Sequence, residues 1–144
     1  MNLLKNIFIL LSLCLPLSYS YAQQLNFNIS TNNKYLSGYY PNETVIGYGT
    51  ISHIGQHKGF FISTNRKNTS MMGTNLIITG RNNINNKINI KIKGHNWLLD
   101  KDNNFILLTD NNEAYFQIVL DGDQYIKSDK YNISLDGAYI INTY

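Results

Sequence analysis

The stretch DKYNISLDGAYIINTY, residues 129–144, decides the fold. Tyr131, Ile133 and Leu135 alternate with Asn132, Ser134 and Asp136, the period of two that buries one face of a strand. Gly137 and Ala138 follow, and the same parity carries Tyr139 and Ile141 to the inward side. A sandwich strand this apolar needs a neighbour on each side, because unpaired N–H and C=O groups make an open edge. No later stretch of this sequence supplies one, so the expectation is that another chain does.

At the other end the sequence reads as a leader rather than as fold. Lys5 is a short basic start, Ile7 to Leu17 is an apolar run too short to span a bilayer, and Ser20-Tyr21-Ala22 is a small-x-small cleavage signal. Residues 1–22 are therefore expected to be a secretory signal peptide and residues 23–144 a single exported domain. Cys14 would suit a lipoprotein signal, but Leu13 stands before it where that signal wants a small residue. With Cys14 removed the domain has no cysteine, so packing or a partner must hold it rather than disulfides.

Between these ends the pattern is strand after strand. Leu25, Phe27 and Ile29 alternate with Asn26, Asn28 and Ser30; Thr44 to Ile54 is a second strand, whose Gly47 and Gly49 suggest a bulge or a close backbone approach. Gly59 to Asn65 is a third, Arg66 to Gly73 a polar loop, and Leu76 to Thr79 a short strand. Lys87 to Lys93 alternates most cleanly, with Ile88, Ile90 and Ile92 on one side. A helix would scatter these isoleucines, whereas a half-buried antiparallel strand gathers them in the core. Gly94 to Asn104 reads as a loop around Trp97, followed by strands at Phe105 to Leu108 and Ala114 to Leu120, and a last one starting near Lys130. Many short strands without a helical stretch predict an all-β sandwich. Tyr131, two residues before Ile133, has the placement of a tyrosine corner in an immunoglobulin-type strand.

Charge is unevenly spread. From Thr44 to Leu99 seven basic residues occur without an acid, and Lys87, Lys91 and Lys93 share one strand face that could meet an anionic receptor. The commoner reading of such residues is a solvated face. Nucleic acid is excluded as a partner of an exported chain without a basic cluster or a recognised module.

No catalytic constellation emerges. His53 and His57 are four apart on a strand and turn, a spacing that would unite them on a helix but not here, and no third metal ligand lies nearby. Asp121 and Asp123 flank Gly122 and suit a turn better than a carboxylate pair for hydrolysis. His95 beside Trp97 could form a sugar-stacking loop, though a Trp in this setting more often plugs a core. There is no nucleophile elbow, phosphate loop or zinc-protease motif. The expectation is a protein without enzymatic activity, metal or cofactor.

Several segments together resemble a known family: Gly49-Thr50-Ile51, His57-Lys58-Gly59-Phe60, Lys91-Ile92-Lys93-Gly94 with Trp97, Tyr115 to Gly122, and Asp129 to Ala138. In this order and spacing they resemble the AfaD-type invasins, tip subunits of Afa/Dr-like and Saf-like fibres of Gram-negative bacteria. The resemblance implies an immunoglobulin-like β-sandwich lacking its last strand. A periplasmic chaperone fills the vacant groove, and at an outer-membrane usher the donor strand of the adjacent fimbrial subunit replaces it. It implies that Tyr131, Ile133, Leu135, Tyr139 and Ile141 line that groove, and that the chain is a cell-surface adhesin or invasin with a host-cell receptor. The alternatives are a repeating pilin of the same system and a self-contained secreted binding module. Leu25 begins two residues after the expected cleavage site, which leaves little room for a donor arm, although Leu25 to Ser30 could itself be either first strand or arm. Family members carry a cysteine pair at the places of His53 and Tyr139; this chain has neither, and packing of Tyr139 on His53 could replace it.

Overall fold

The strongest alternation in the sequence forms the centre of the larger sheet. In a computed structural model describing residues 24–31, 37–64, 69–72 and 75–142, Lys87–Lys93 is a strand whose Ile88, Ile90 and Ile92 are buried. In chain order the strands are β1 (Leu25–Thr31), β2 (Gly38–Tyr40), β3 (Val45–His53), β4 (Gly59–Thr64), β5 (Thr69–Met72) and β6 (Asn75–Thr79). They continue with β7 (Lys87–Lys93), β8 (Leu98–Leu99), β9 (Phe105–Leu108), β10 (Glu113–Leu120), β11 (Gln124–Ile126) and β12 (Leu135–Ile140). No helix occurs among the described residues.

Two sheets face each other across one core. The first has the order β1-β3-β10-β7-β6-β5, the second β12-β4-β9-β8, and β11 pairs with β2 in a separate ribbon; every pairing is antiparallel. Ile46, Ile78, Ile90, Phe116, Ile118 and Leu120 from the first sheet meet Ile62, Phe105 and Leu135 from the second. Trp97 packs on this cluster, places its ring edge-on to Phe116 at 5.9 Å, and donates from Nε1 to the Tyr115 carbonyl at 3.0 Å. It is a core plug, and His95 beside it is exposed.

Both glycine expectations for β3 are realised. The β10 register slips between Ile118, opposite Gly47, and Val119, opposite Val45, so Ile46 is the extra residue of a bulge. Gly49 lies opposite Phe116, whose ring occupies the space a side chain would need: a Cβ at Gly49 would stand 1.9 Å from Cζ.

The structure corrects the strand reading in four places. Thr69–Met72 is a strand where a polar loop was expected. Gly38–Tyr40 and Gln124–Ile126, to which no strand was assigned, pair with each other. Leu98–Leu99 pairs with β9 inside the expected Trp97 loop. The last strand begins at Leu135, opposite Thr64 of β4, rather than near Lys130, and among the described residues, positions 132–134 pair with no strand. The expected leader, residues 1–22, lies outside the described residues.

Candidate functional site

The open edges converge at one place. β1 is the outermost strand of one sheet and β12 of the other, so among the described residues each has one edge without a strand partner. The two meet through Gly137, where a Cβ would come 2.6 Å from Phe27 Cδ2 and 3.0 Å from Ile51 Cδ1. Beside this contact the inward residues of both elements are only half-buried: Leu25, Phe27 and Ile29 on β1, Tyr131 and Ile133 ahead of β12. The same alternation that buries Ile88 to Ile92 is present here, but the covering layer is missing on one side.

Local hydrogen bonds hold the approach to β12 in place. The Tyr131 hydroxyl donates to the Lys127 carbonyl at 2.8 Å, the bond of a tyrosine corner, and Tyr131 bridges to Gly80. Asp129 gathers the 80–86 loop: its carboxylate accepts from the backbone N–H of Asn82 (2.9 Å), Asn83 (3.0 Å) and Lys130 (2.7 Å), and from Asn86 Nδ2 (2.9 Å). The Asn82 N–H leads the groups that hold its pKa below the ordinary carboxylate value, against the opposing effect of partial burial. No periodicity announces this clasp, because its partners lie more than forty residues away.

The five residues expected to line the groove differ in burial. Tyr131, Ile133 and Tyr139 are half-buried and Leu135 is buried. Ile141, on the same parity, is 61% exposed: among the described residues, pairing with β4 ends at Ile140 opposite Gly59. Tyr139 lies flat on His53, ring centroids 3.8 Å apart and planes 5° from parallel. This stack joins the two sheets, β3 to β12. His53 is fully buried, and neither of its ring nitrogens has a hydrogen-bond partner. Its neighbour His57 stands edge-on at 5.7 Å, with its ring nitrogens 2.8 Å from the Gly55 carbonyl and 3.0 Å from that of Asn111. No group of three His, Cys, Asp or Glu side chains among the described residues is placed to hold a metal ion.

Of the expected basic face, Lys87, Lys91 and Lys93, two lysines have acidic neighbours. Lys91 lies 3.4 Å from Glu43 and 3.5 Å from Asp121, and Lys93 lies 2.6 Å from Glu43. Lys93 and then Lys91 hold the Glu43 carboxyl below its ordinary pKa. Two of the three lysines are thus paired with acids distant in sequence. Asp123 serves turns: it accepts from the Tyr39 hydroxyl at 2.9 Å and the Asn42 N–H at 2.7 Å, while the Gly122 N–H donates to Asn42.

A sequence profile described as Enterobacteria AfaD invasin protein matches residues 36–137. The chain belongs to the AfaD invasin family. The match spans most of both sheets, including β3, β7, β10 and the start of β12. Among solved structures, the Salmonella SafD adhesin superposes with a TM-score of 0.75 at 22% identity, covering 82% of this chain and 85% of that one. The minor tip subunit HdaB of the E. coli Hda pilus gives 0.71 at 21% identity, with 82% and 84% covered. SefD gives 0.67 at 26% identity, with 83% and 89% covered. No curated protein sequence matches the chain significantly. This AfaD-family chain therefore has the fold of chaperone–usher fimbrial subunits, an immunoglobulin-like sandwich.

Proposed function

We propose that this AfaD-family chain is a non-enzymatic tip adhesin or invasin subunit of a chaperone–usher fibre, which accepts a donor strand between β1 and β12. The observation that carries this reading is the pair of open edges, facing one another across half-buried Phe27, Ile29, Tyr131 and Ile133. A strand laid there would hydrogen-bond to the free edge of β12 and send alternate side chains into the gap, the chemistry of β-augmentation. Three such side chains, newly buried, would contribute on the order of 5 kcal/mol. The backbone bonds supply generic affinity, and the pockets beside Tyr131, Ile133, Leu135 and Tyr139 set the register.

In this scheme a periplasmic chaperone occupies the groove first, and the adjacent subunit's strand displaces it at the outer-membrane usher. The chain is then displayed on the cell surface, where it engages a host-cell receptor. A position at the fibre tip is supported by β1, whose seven residues from Leu25 to Thr31 all pair with β3. Were Leu25 to Thr31 a donor arm it would be free for another subunit, and here it is paired in its own sheet.

The test compares residues 23–144 alone with the same domain carrying, at its C-terminus, the donor strand of a subunit from the same fibre. The expected result is a higher Tm in the fusion, with slowed amide exchange concentrated in residues 131–140 and in β1. A bare domain that already protects those amides, and gains nothing from the fusion, would refute the reading.

A further inference from the structure

A second concavity lies along β10, and none of the groove residues line it. β10 pairs with β7 only from Gln117 to Leu120, so its first half, Glu113 to Phe116, runs past the end of β7. The turn at Gly94–Asn96 and the loop from Leu108 to Asn111 flank this half, and the cleft between them holds about 790 Å³. That volume is in the range of small-ligand sites, about 300–1,000 Å³. Two tyrosines face it from the outer side of the sheet, Tyr48 of β3 at 58% exposure and Tyr115 of β10 at 64%. Tyr48 is opposite Gln117 and Tyr115 opposite Thr50, so the tyrosines are diagonal neighbours on one face, their positions about 7–8 Å apart.

Around these rings stand polar groups that the protein itself does not use. The side chains of Thr50, Asn96 and Gln117 line the cleft, and among the described residues none of them has a hydrogen-bond partner. The charged groups are engaged already: Lys93 is paired with Glu43, and Glu113 accepts the Tyr115 hydroxyl. That bond holds the Tyr115 phenol above its ordinary pKa. Aromatic faces beside unengaged amide and hydroxyl groups, with Lys93 paired to Glu43 and Glu113 bonded to Tyr115, match a ring that has an apolar C–H face and a rim of hydroxyls. We propose that this cleft binds a neutral saccharide, one pyranose against Tyr48 and Tyr115 with its hydroxyls on Thr50, Asn96 and Gln117. The binding claim stands on the cleft alone; its use in attachment rests on the adhesin reading above.

The test is saturation-transfer NMR on the full chain, exported and purified from the periplasm, with the methyl glycosides of galactose, glucose, mannose and N-acetylglucosamine as probes. At least one should receive saturation. Tyr48→Ala and Tyr115→Ala should each weaken it about tenfold, the loss of one stacked ring. Lys93→Gln should leave its affinity within about twofold, since that cation is committed to Glu43. Both tyrosines are exposed, so an unchanged Tm shows that the variants remain folded. Absence of transfer to all four glycosides, binding that survives both tyrosine substitutions, or loss of binding in Lys93→Gln would each overturn the assignment. Failure here leaves donor-strand acceptance standing, because that is read from the stability and amide exchange of the fusion. Failure of the fusion would in turn leave saccharide binding measurable.

Discussion

Gly49→Ala isolates one packing contact that the fold depends on. Gly49 has no strained φ, so alanine meets no backbone obstacle there, and the added methyl is the whole perturbation. That methyl would lie 1.9 Å from Phe116 Cζ and 2.3–2.4 Å from the two Cε atoms. The ring must move, yet it is held by Phe27 stacked at 5.9 Å and Trp97 edge-on at 5.9 Å, and it is only 2% exposed. Overpacking of this kind costs about 1–3 kcal/mol. Against it stands the loss of glycine's freedom in the unfolded chain, worth about 0.4–1 kcal/mol in favour of alanine. The clash wins, for a net destabilisation of about 1–2 kcal/mol, which lowers Tm by roughly 3–8 °C in a domain of this size. Thermal unfolding followed by circular dichroism measures it, and Gly49→Ala combined with Phe116→Leu should recover part of the loss by making room. A Gly49→Ala protein as stable as the parent would show that Phe116 does not need the glycine, and would refute the reasoning.

Three further outcomes are expected. His53→Cys with Tyr139→Cys should oxidise to a cross-sheet disulfide, because the stacked rings place the two positions face to face; the oxidised form should be more stable than the reduced form by up to about 4 kcal/mol, read as a higher Tm, and thiols that stay free in air would contradict this. Asp129→Asn should lower Tm at neutral pH by weakening the clasp on the 80–86 loop. The Asp129 pKa is depressed on folding, so its contribution is present above the unfolded carboxylate pKa and is lost as pH falls through the folded value; the Tm gap should therefore close in acid, and a gap that widens there would be inconsistent. Lys91→Ala with Lys93→Ala should lower Tm slightly at low salt and not at about 1 M salt, where exposed pairs are screened; attachment to host cells should be unchanged, and its loss would restore these lysines as a receptor face.

The sandwich was legible wherever one face is buried along the whole strand. Ile88, Ile90 and Ile92, or Phe116, Ile118 and Leu120, show the period because each inward residue meets the opposite sheet. The short ribbon of β2 and β11 was not legible, since three residues per strand carry no period and their pairing joins segments more than eighty residues apart. Separation in sequence likewise hid the pairing of Lys91 and Lys93: locally the run is purely basic, and only folding brings Glu43 and Asp121 beside it. Tyr48 and Tyr115 went unnoticed as a pair for that reason too, being diagonal neighbours only through the β3–β10 register.

Alternation alone thus settles that Tyr131, Ile133, Leu135 and Tyr139 face inward, because side-chain direction in an extended chain is a local matter of two residues per repeat. Whether an inward face is covered is not local. Leu135 is buried and Ile141 is exposed on the same parity, because β4 lies beside one and ends before the other. The open edge is likewise a property of the assembled sandwich. It exists because β1 and β12 end their sheets side by side, an arrangement neither strand encodes alone.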